Sequence, residues 1–519
     1  MNRFKIARGH RILLVAAVTA SIVTVSCVKW LRRVPNLRDA LVVAALPRIR
    51  PDYAGVTVPA NIAPLNFLID EEGDRFFTEL SSSVGDSIKI ASNSPDVVIP
   101  QEPWRRLLAT NRGEKLRINV FVEKSGQWHK YAAITNRIAE EDIDAYLAYR
   151  LIEPVHQMWR DVTIQQRELA TYQESNVLDG MSLEKGCINC HSFANNDPNR
   201  MSIGMRSRKY GVATLVADRG AAKKVGTKFG YTAWHPSGRL AVYSMNKSWQ
   251  FFHTAGAEVR DVIDMDSALA YYVVENESVA KVPAASDKLR LETYPTWSPD
   301  GRWLYFCSAP MLWPAKDAEL PTRYKEVRYD LMRVSYDLTT GQWGDPETVL
   351  SAEETGMSIL LPRISPDGRF LLFCMCRYGC FPIYQPSSDL YMMDLSAGEY
   401  RRLEINSEFS ESWHSWSSNS RWIAFSSKRQ GGLFTRCFLS FVDENGVAHK
   451  PFMLPQKDAR FYDSFLKTVS VPELINGPVP ISAKTLSRVA RSDQAITVDG
   501  ITGASKPAGA SEPWQPTRE

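Results

Sequence analysis

Four stretches in the C-terminal half repeat one hydrophobic pattern: "WHPSGRLAVYS" from Trp234, "WSPDGRWLYFCS" from Trp297, "ISPDGRFLLFCM" from Ile364 and "WSSNSRWIAFSS" from Trp416. Each is an aromatic or aliphatic residue, a tight-turn sequence, then a run of strand formers that is apolar on both faces. In Ser-Pro-Asp-Gly, Pro fixes φ at the second position and Gly relieves the last. The run that follows is too apolar for a sheet with one wet face. The last copy has Ser420 where the pattern has Gly, a departure that bears on turn geometry alone. The intervals of 63, 67 and 52 residues are long enough for a four-stranded unit. "DLMRVSYDLTTGQW" and "SSDLYMMDLSAGEYRRLEI" supply further strands and Gly turns, so the pattern predicts β-propeller blades, five or six of them over residues 200–485. An ordinary β-sandwich with similar turns is the alternative.

Upstream, short alternating runs such as "LNFLI", "DSIKIAS" and "KLRINVFVE" predict a small β-sandwich-like domain over residues 50–135. Residues 139–177 read as mostly helical, with Val155, Met158, Trp159 and Val162 on one face and Pro154 at a break. This segment and the motif behind it make a helical unit over 139–199. From residue 489 to 519 the pattern fades into Pro, Gly, Ser and Ala, the composition of a disordered tail. The expected fold class is therefore mainly β.

Composition changes this picture little. A net charge of +4 over 519 residues gives no electrostatic case for nucleic acid. The N-terminus adds more: Arg3, Lys5, Arg8 and Arg11 precede the apolar run Ile12–Cys27, the layout of an export signal within residues 1–28. Cys27 is a candidate lipidation site; an uncleaved membrane anchor is the alternative. Both place the bulk of the chain outside the cytoplasm, in the periplasm or cell envelope, with a membrane tether at its N-terminus.

Chemistry concentrates in "EKGCINCHSFANNDP", where Cys187, Cys190 and His191 stand as C-x-x-C-H. With eight Cys and eight His, chance predicts on the order of 0.002 such motifs per chain. On a helical turn both thiols reach the two vinyl groups of one haem, and the His becomes the proximal iron ligand. A zinc site needs further ligands at close spacing, and none occurs nearby. A redox dithiol expects a βαβ context. One covalent haem c is the expected cofactor, with Met201, Met205, His414 and His156 as candidates for the distal position. The remaining cysteines are too sparse for a disulfide scaffold, although one bridge within "CMCRYGC" is open. Asp261, Asp264 and Asp266 lack the Gly and terminal Glu of a calcium loop and are expected at a solvated strand edge. No G-x-S-x-G nucleophile elbow occurs, so no hydrolase is indicated.

Taken in order, "GCINCHSF", "YPTWSPDGRWLYF", "FPIYQPSSDLYMMDL", "ESWHSWSSNSRWIAFSSKR" and "KPFMLPQKD" resemble the bacterial TolB-like β-propeller proteins that carry one C-x-x-C-H motif. The resemblance spans residues 50–480. It implies an exported, membrane-tethered propeller with one c-type haem on Cys187, Cys190 and His191, and it supplies no substrate. Two functions follow as expectations: electron transfer with an envelope redox partner, or a scaffold that binds a protein or glycan while the motif is structural.

Overall fold

The computed structural model describes residues 35–154, 161–253, 258, 260–313 and 321–497, apart from the side chain of Cys190. It is mainly β. Cys27 and His156, and with them the export, lipidation and anchoring expectations, lie outside the described residues. Among those residues no helix is long and apolar enough to cross a membrane.

Among the described residues, six four-stranded antiparallel sheets make up most of the structure. Five are built from consecutive strands and open with Cys187–Ala194, Gly230–Trp234, Arg290–Trp297, Ser358–Ile364 and Glu411–Trp416. We call these the second to sixth sheets. The first sheet combines Tyr146–Ile152, Thr163–Glu168 and Glu174–Asp179 with Thr468–Ile475, which pairs along Tyr146–Ile152 from more than 300 residues downstream. The leading strands of the second to sixth sheets each neighbour the next in turn, and Thr468–Ile475 touches the first and last of them.

The sheets pack face to face, which is why their strands are apolar on both sides. Ile164 and Leu178 meet Ile188, Met205 and Leu215 between the first and second sheets. Val216 and Phe229 meet Tyr243 and Tyr272 between the second and third. Val242 and Leu269 meet Leu304 and Phe306 between the third and fourth. Residues 35–138 form a seven-stranded sheet, a three-stranded sheet and the helix Gln101–Thr110, which the sequence pattern did not predict. Their core is continuous with Trp422, Leu439 and Leu474.

Among the described residues the helical expectation for 139–199 is overturned; Val155, Met158 and Trp159 lie outside them. Tyr146–Ile152, Thr163–Glu168, Glu174–Asp179 and Cys187–Ala194 are strands, with one short 3-10 turn at Gly180–Leu183. "YLAYRLI" fits a helical stripe, but it is buried almost throughout because sheets cover it on both faces. The sheet array thus begins at Tyr146, not near residue 200, and it contains the C-x-x-C-H motif.

The tail boundary also moves. Ala483–Arg491 is a helix capped by Ser482, whose side chain accepts from the Thr485 amide, with Arg488 and Arg491 in its last turn. Leu486 and Ala490 are fully buried, and Ile496 bridges in parallel to Val225. Residues up to 497 are therefore docked.

Candidate functional site

The leading strands share one irregularity. Where their ladders slip, a non-glycine residue holds a left-handed backbone: Tyr231 (φ 44°), Tyr294 (53°), Leu361 (55°), Trp413 (46°) and Val471 (52°). Such residues are uncommon and strained, and they persist only where the surroundings enforce them. In the second sheet the slip falls between Asn189 and His191, so Cys190 is the extra residue. The motif is therefore a variant of the repeat: C190-H-S-F occupies the register of Y294-P-T-W, L361-P-R-I, W413-H-S-W and V471-P-E-L. Asn195 and Asn196, both at positive φ, then turn the chain back in a two-residue hairpin.

His191 pairs in register with Ile203. Its side chain is 0% exposed, and among the described residues neither ring nitrogen has a hydrogen-bond partner of normal geometry. Oε2 of Glu473 stands 3.9 Å from Nε2, beyond hydrogen-bond reach. Burial, and then the nearby Arg150 charge, hold the imidazole neutral with a pKa of about 3, against a weaker opposing pull from the Val471 backbone. Arg150 itself is engaged, donating to Asn189 and, at 3.2 Å, to Ser470 Oγ.

Two residues beyond each slip the six strands present Ser192, Ala233, Thr296, Arg363, Ser415 and Glu473. All six line a single cavity of about 420 Å³, together with His191 and His414. Trp234, Trp297, Trp413 and Trp416 supply its aromatic wall. Glu473 accepts from the Phe193 amide at 2.9 Å, and burial raises its carboxyl to about 7 despite the Arg363 charge. Burial pulls the Arg363 guanidinium below its ordinary value, with Glu473 opposing.

The other candidates are placed as follows. Met201 and Met205 are buried in the core between the first and second sheets, paired with Phe193 and Ile188. His414 is buried, with Nε2 3.1 Å from the Leu372 carbonyl and Nδ1 3.8 Å from Cys374 Sγ. Burial and the Arg363 charge lower its pKa to about 3. Cys374, Cys376 and Cys380 are free thiols with raised pKa values caused by burial, so "CMCRYGC" holds no disulfide. Asp261 and Asp264 are not at a wet edge. Asp261 accepts from the Tyr378 hydroxyl at 2.9 Å, and Asp264 accepts from Asn246 and Ser248 at 2.7 and 2.8 Å. The strand that carries them belongs to a hairpin that reaches past its own sheet, where Arg260 donates to Tyr384 Oη and the Pro154 carbonyl.

Arg363 and Glu473 were not predicted. The signal for them is the repeat itself, since the third residue of each "x-P-x-W"-like quartet faces the shared cavity.

No family model matches the chain, and no curated protein does. Among solved structures, it is similar to an ACO/RPE65 chimera at 10% identity, covering 76% of this chain and 96% of that one with a TM-score of 0.33. A prolyl endopeptidase is matched at 12% identity over 60% of this chain and 42% of that one, TM-score 0.32. Dipeptidyl peptidase 4 of Porphyromonas gingivalis is matched at 10% identity over 58% and 46%, TM-score 0.30.

Proposed function

We propose that the six sheets form a six-bladed β-propeller that carries one covalent haem c and passes electrons at the cell envelope. The cyclic neighbourhood of the leading strands supports the propeller, as does the pairing of the C-terminal strand Thr468–Ile475 into the first sheet. The observation that carries the haem is His191. Among the described residues, neither nitrogen of this fully buried imidazole makes a hydrogen bond of normal geometry, and only the Val471 backbone exerts a weak pull on it. Its neutral state is the one that ligates iron.

Cys187 and Cys190 would hold the porphyrin through thioethers, and His191 would ligate the iron. On a regular strand residues three apart point to opposite faces. The slip at Cys190 breaks that alternation between Cys187 and Cys190, so the extended backbone does not by itself separate them. When bound, the group supplies a one-electron couple. The chain supplies a buried, neutral imidazole. Covalent attachment takes place outside the cytoplasm, in keeping with the export-like N-terminus and an envelope redox partner.

A second reading rests on the cavity. Its wall of Arg363, Glu473 and hydroxyls does not depend on the motif, and a non-redox scaffold that binds a ligand or partner there would use it equally.

The test is a pyridine haemochrome spectrum of denatured, washed protein produced with a c-type maturation system. A c-type band that disappears in the Cys187→Ala/Cys190→Ala variant is expected. No band in the parent protein would overturn the haem.

A further inference from the structure

Arg363 sits in the fifth sheet at the cavity position that serine, threonine or alanine occupies in four of the other five sheets. Its Nη1 donates to the carbonyl of the adjacent Pro362 at 2.9 Å. Among the described residues no carboxylate lies within ion-pair distance of it, and its remaining guanidinium nitrogens make no hydrogen bond. Glu473, the nearest acid by electrostatic influence, is committed to the Phe193 amide. Arg363 is half-buried and has no ion pair among those residues, so its free N–H donors are presented to the cavity. The charge is also felt by its neighbour, for it helps hold His414 neutral. The wall around it is indole rings and hydroxyls, the mix of apolar lining and few oriented polar groups that small-molecule sites use.

We propose that the cavity binds a carboxylate-bearing small molecule, with Arg363 as the partner of the carboxylate. The planar guanidinium fork matches a carboxylate with two parallel hydrogen bonds. Ser415 is less available, since its Oγ accepts from the Leu474 amide at 3.3 Å. Specificity for the rest of the ligand falls to Thr296, Ser192 and the tryptophans. Two sources share this chemistry: a free organic acid, and the propionate groups of the haem itself. The second source rests on the haem reading above; the first does not.

The experiment uses the full exported chain in two forms, matured with haem and as Cys187→Ala/Cys190→Ala. Succinate is the probe and succinamide the uncharged control, with binding read by calorimetry. Arg363→Gln and Arg363→Lys are made in both forms, and the reduction potential is read in the matured one. Succinate binding to both parent forms, lost about tenfold or more in Arg363→Gln and retained better in Arg363→Lys, assigns the site to a free acid. Binding only in the haem-free form, with a potential that moves in matured Arg363→Gln, assigns it to the porphyrin carboxylates. No succinate binding to either parent form, with an unmoved potential, overturns the proposal whether or not the variants fold. Failure of haem attachment alone would sink the cofactor and leave the succinate result standing.

Discussion

His191 and His414 occupy equivalent places in two sheets, each directly after the residue at the slip of its leading strand. One is satisfied and the other is not. His414 reaches the Leu372 carbonyl at 3.1 Å, while both nitrogens of His191 are buried without a partner.

This contrast sets the response to substitution in haem-free protein. His414→Leu strands a buried carbonyl and should lower unfolding free energy by about 1–3 kcal/mol. His191→Leu removes an unsatisfied group and should leave stability level or slightly higher. Urea denaturation of the two variants side by side checks the difference. Equal losses would mean that His191 has a structural partner.

Glu292 gives the fold a pH signature away from the motif. It is 2% exposed with Oε2 unpartnered, and burial raises its carboxyl to about 8 from 4.5 despite Arg290. Between those two values the folded protein keeps a proton that the unfolded chain has released. Its contribution to stability is therefore complete below about 4.5 and is lost as pH rises through 8. Glu292→Gln should flatten that decline. A pH series of denaturation midpoints on both proteins between pH 5 and 8 decides it, since the slopes that His191, His414 and Glu473 add are common to the two.

Leu486 tests whether the C-terminal helix is part of the fold. It is fully buried against the first and second sheets. Leu486→Ala should cost about 2–4 kcal/mol. A loss within about 0.5 kcal/mol, the range of surface changes, would show that the helix is not docked.

Asn196 ties three sheets together at the cavity edge. At φ 58° its amide donates to the Trp416 carbonyl at 2.8 Å, the Leu474 carbonyl at 2.7 Å and Asp144 Oδ2 at 3.3 Å. Asn196→Gly keeps the backbone and loses the bonds; Asn196→Ala loses both. We expect Asn196→Ala to be the worse by about 1 kcal/mol, with both well below the parent protein in thermal melts.

The strand–turn–strand repeats were legible because the turn chemistry and the two-sided apolar strands are local properties. "SPDG" followed by "RWLYF" needs no distant partner to be recognised. The first sheet was missed because one of its strands comes from Thr468–Ile475 and its other three from residues 146–179. "YLAYRLI" has the composition of either a buried strand or a buried helix, and only the ladder to Thr468–Ile475 makes it a strand. The helix Ala483–Arg491 was hidden for a related reason: Leu486 and Ala490 are too few to mark an amphipathic face until the groove that receives them exists.

Read without any structure, the chain shows that it is mainly β, that it repeats a strand–turn–strand unit, and that Cys187, Cys190 and His191 are its chemically distinctive group. Those facts live in turn residues, two-residue alternation and motif spacing. Tertiary structure alone decided that the motif lies in a strand of the sheet array and not in a helical module. It also brought Arg363 and Glu473, 110 residues apart in sequence, to the wall of one cavity with His191. The reason is that the place of each residue on that wall is set by the slip of its strand and by the order in which the sheets neighbour one another. Both are long-range relations that no local window of the chain contains.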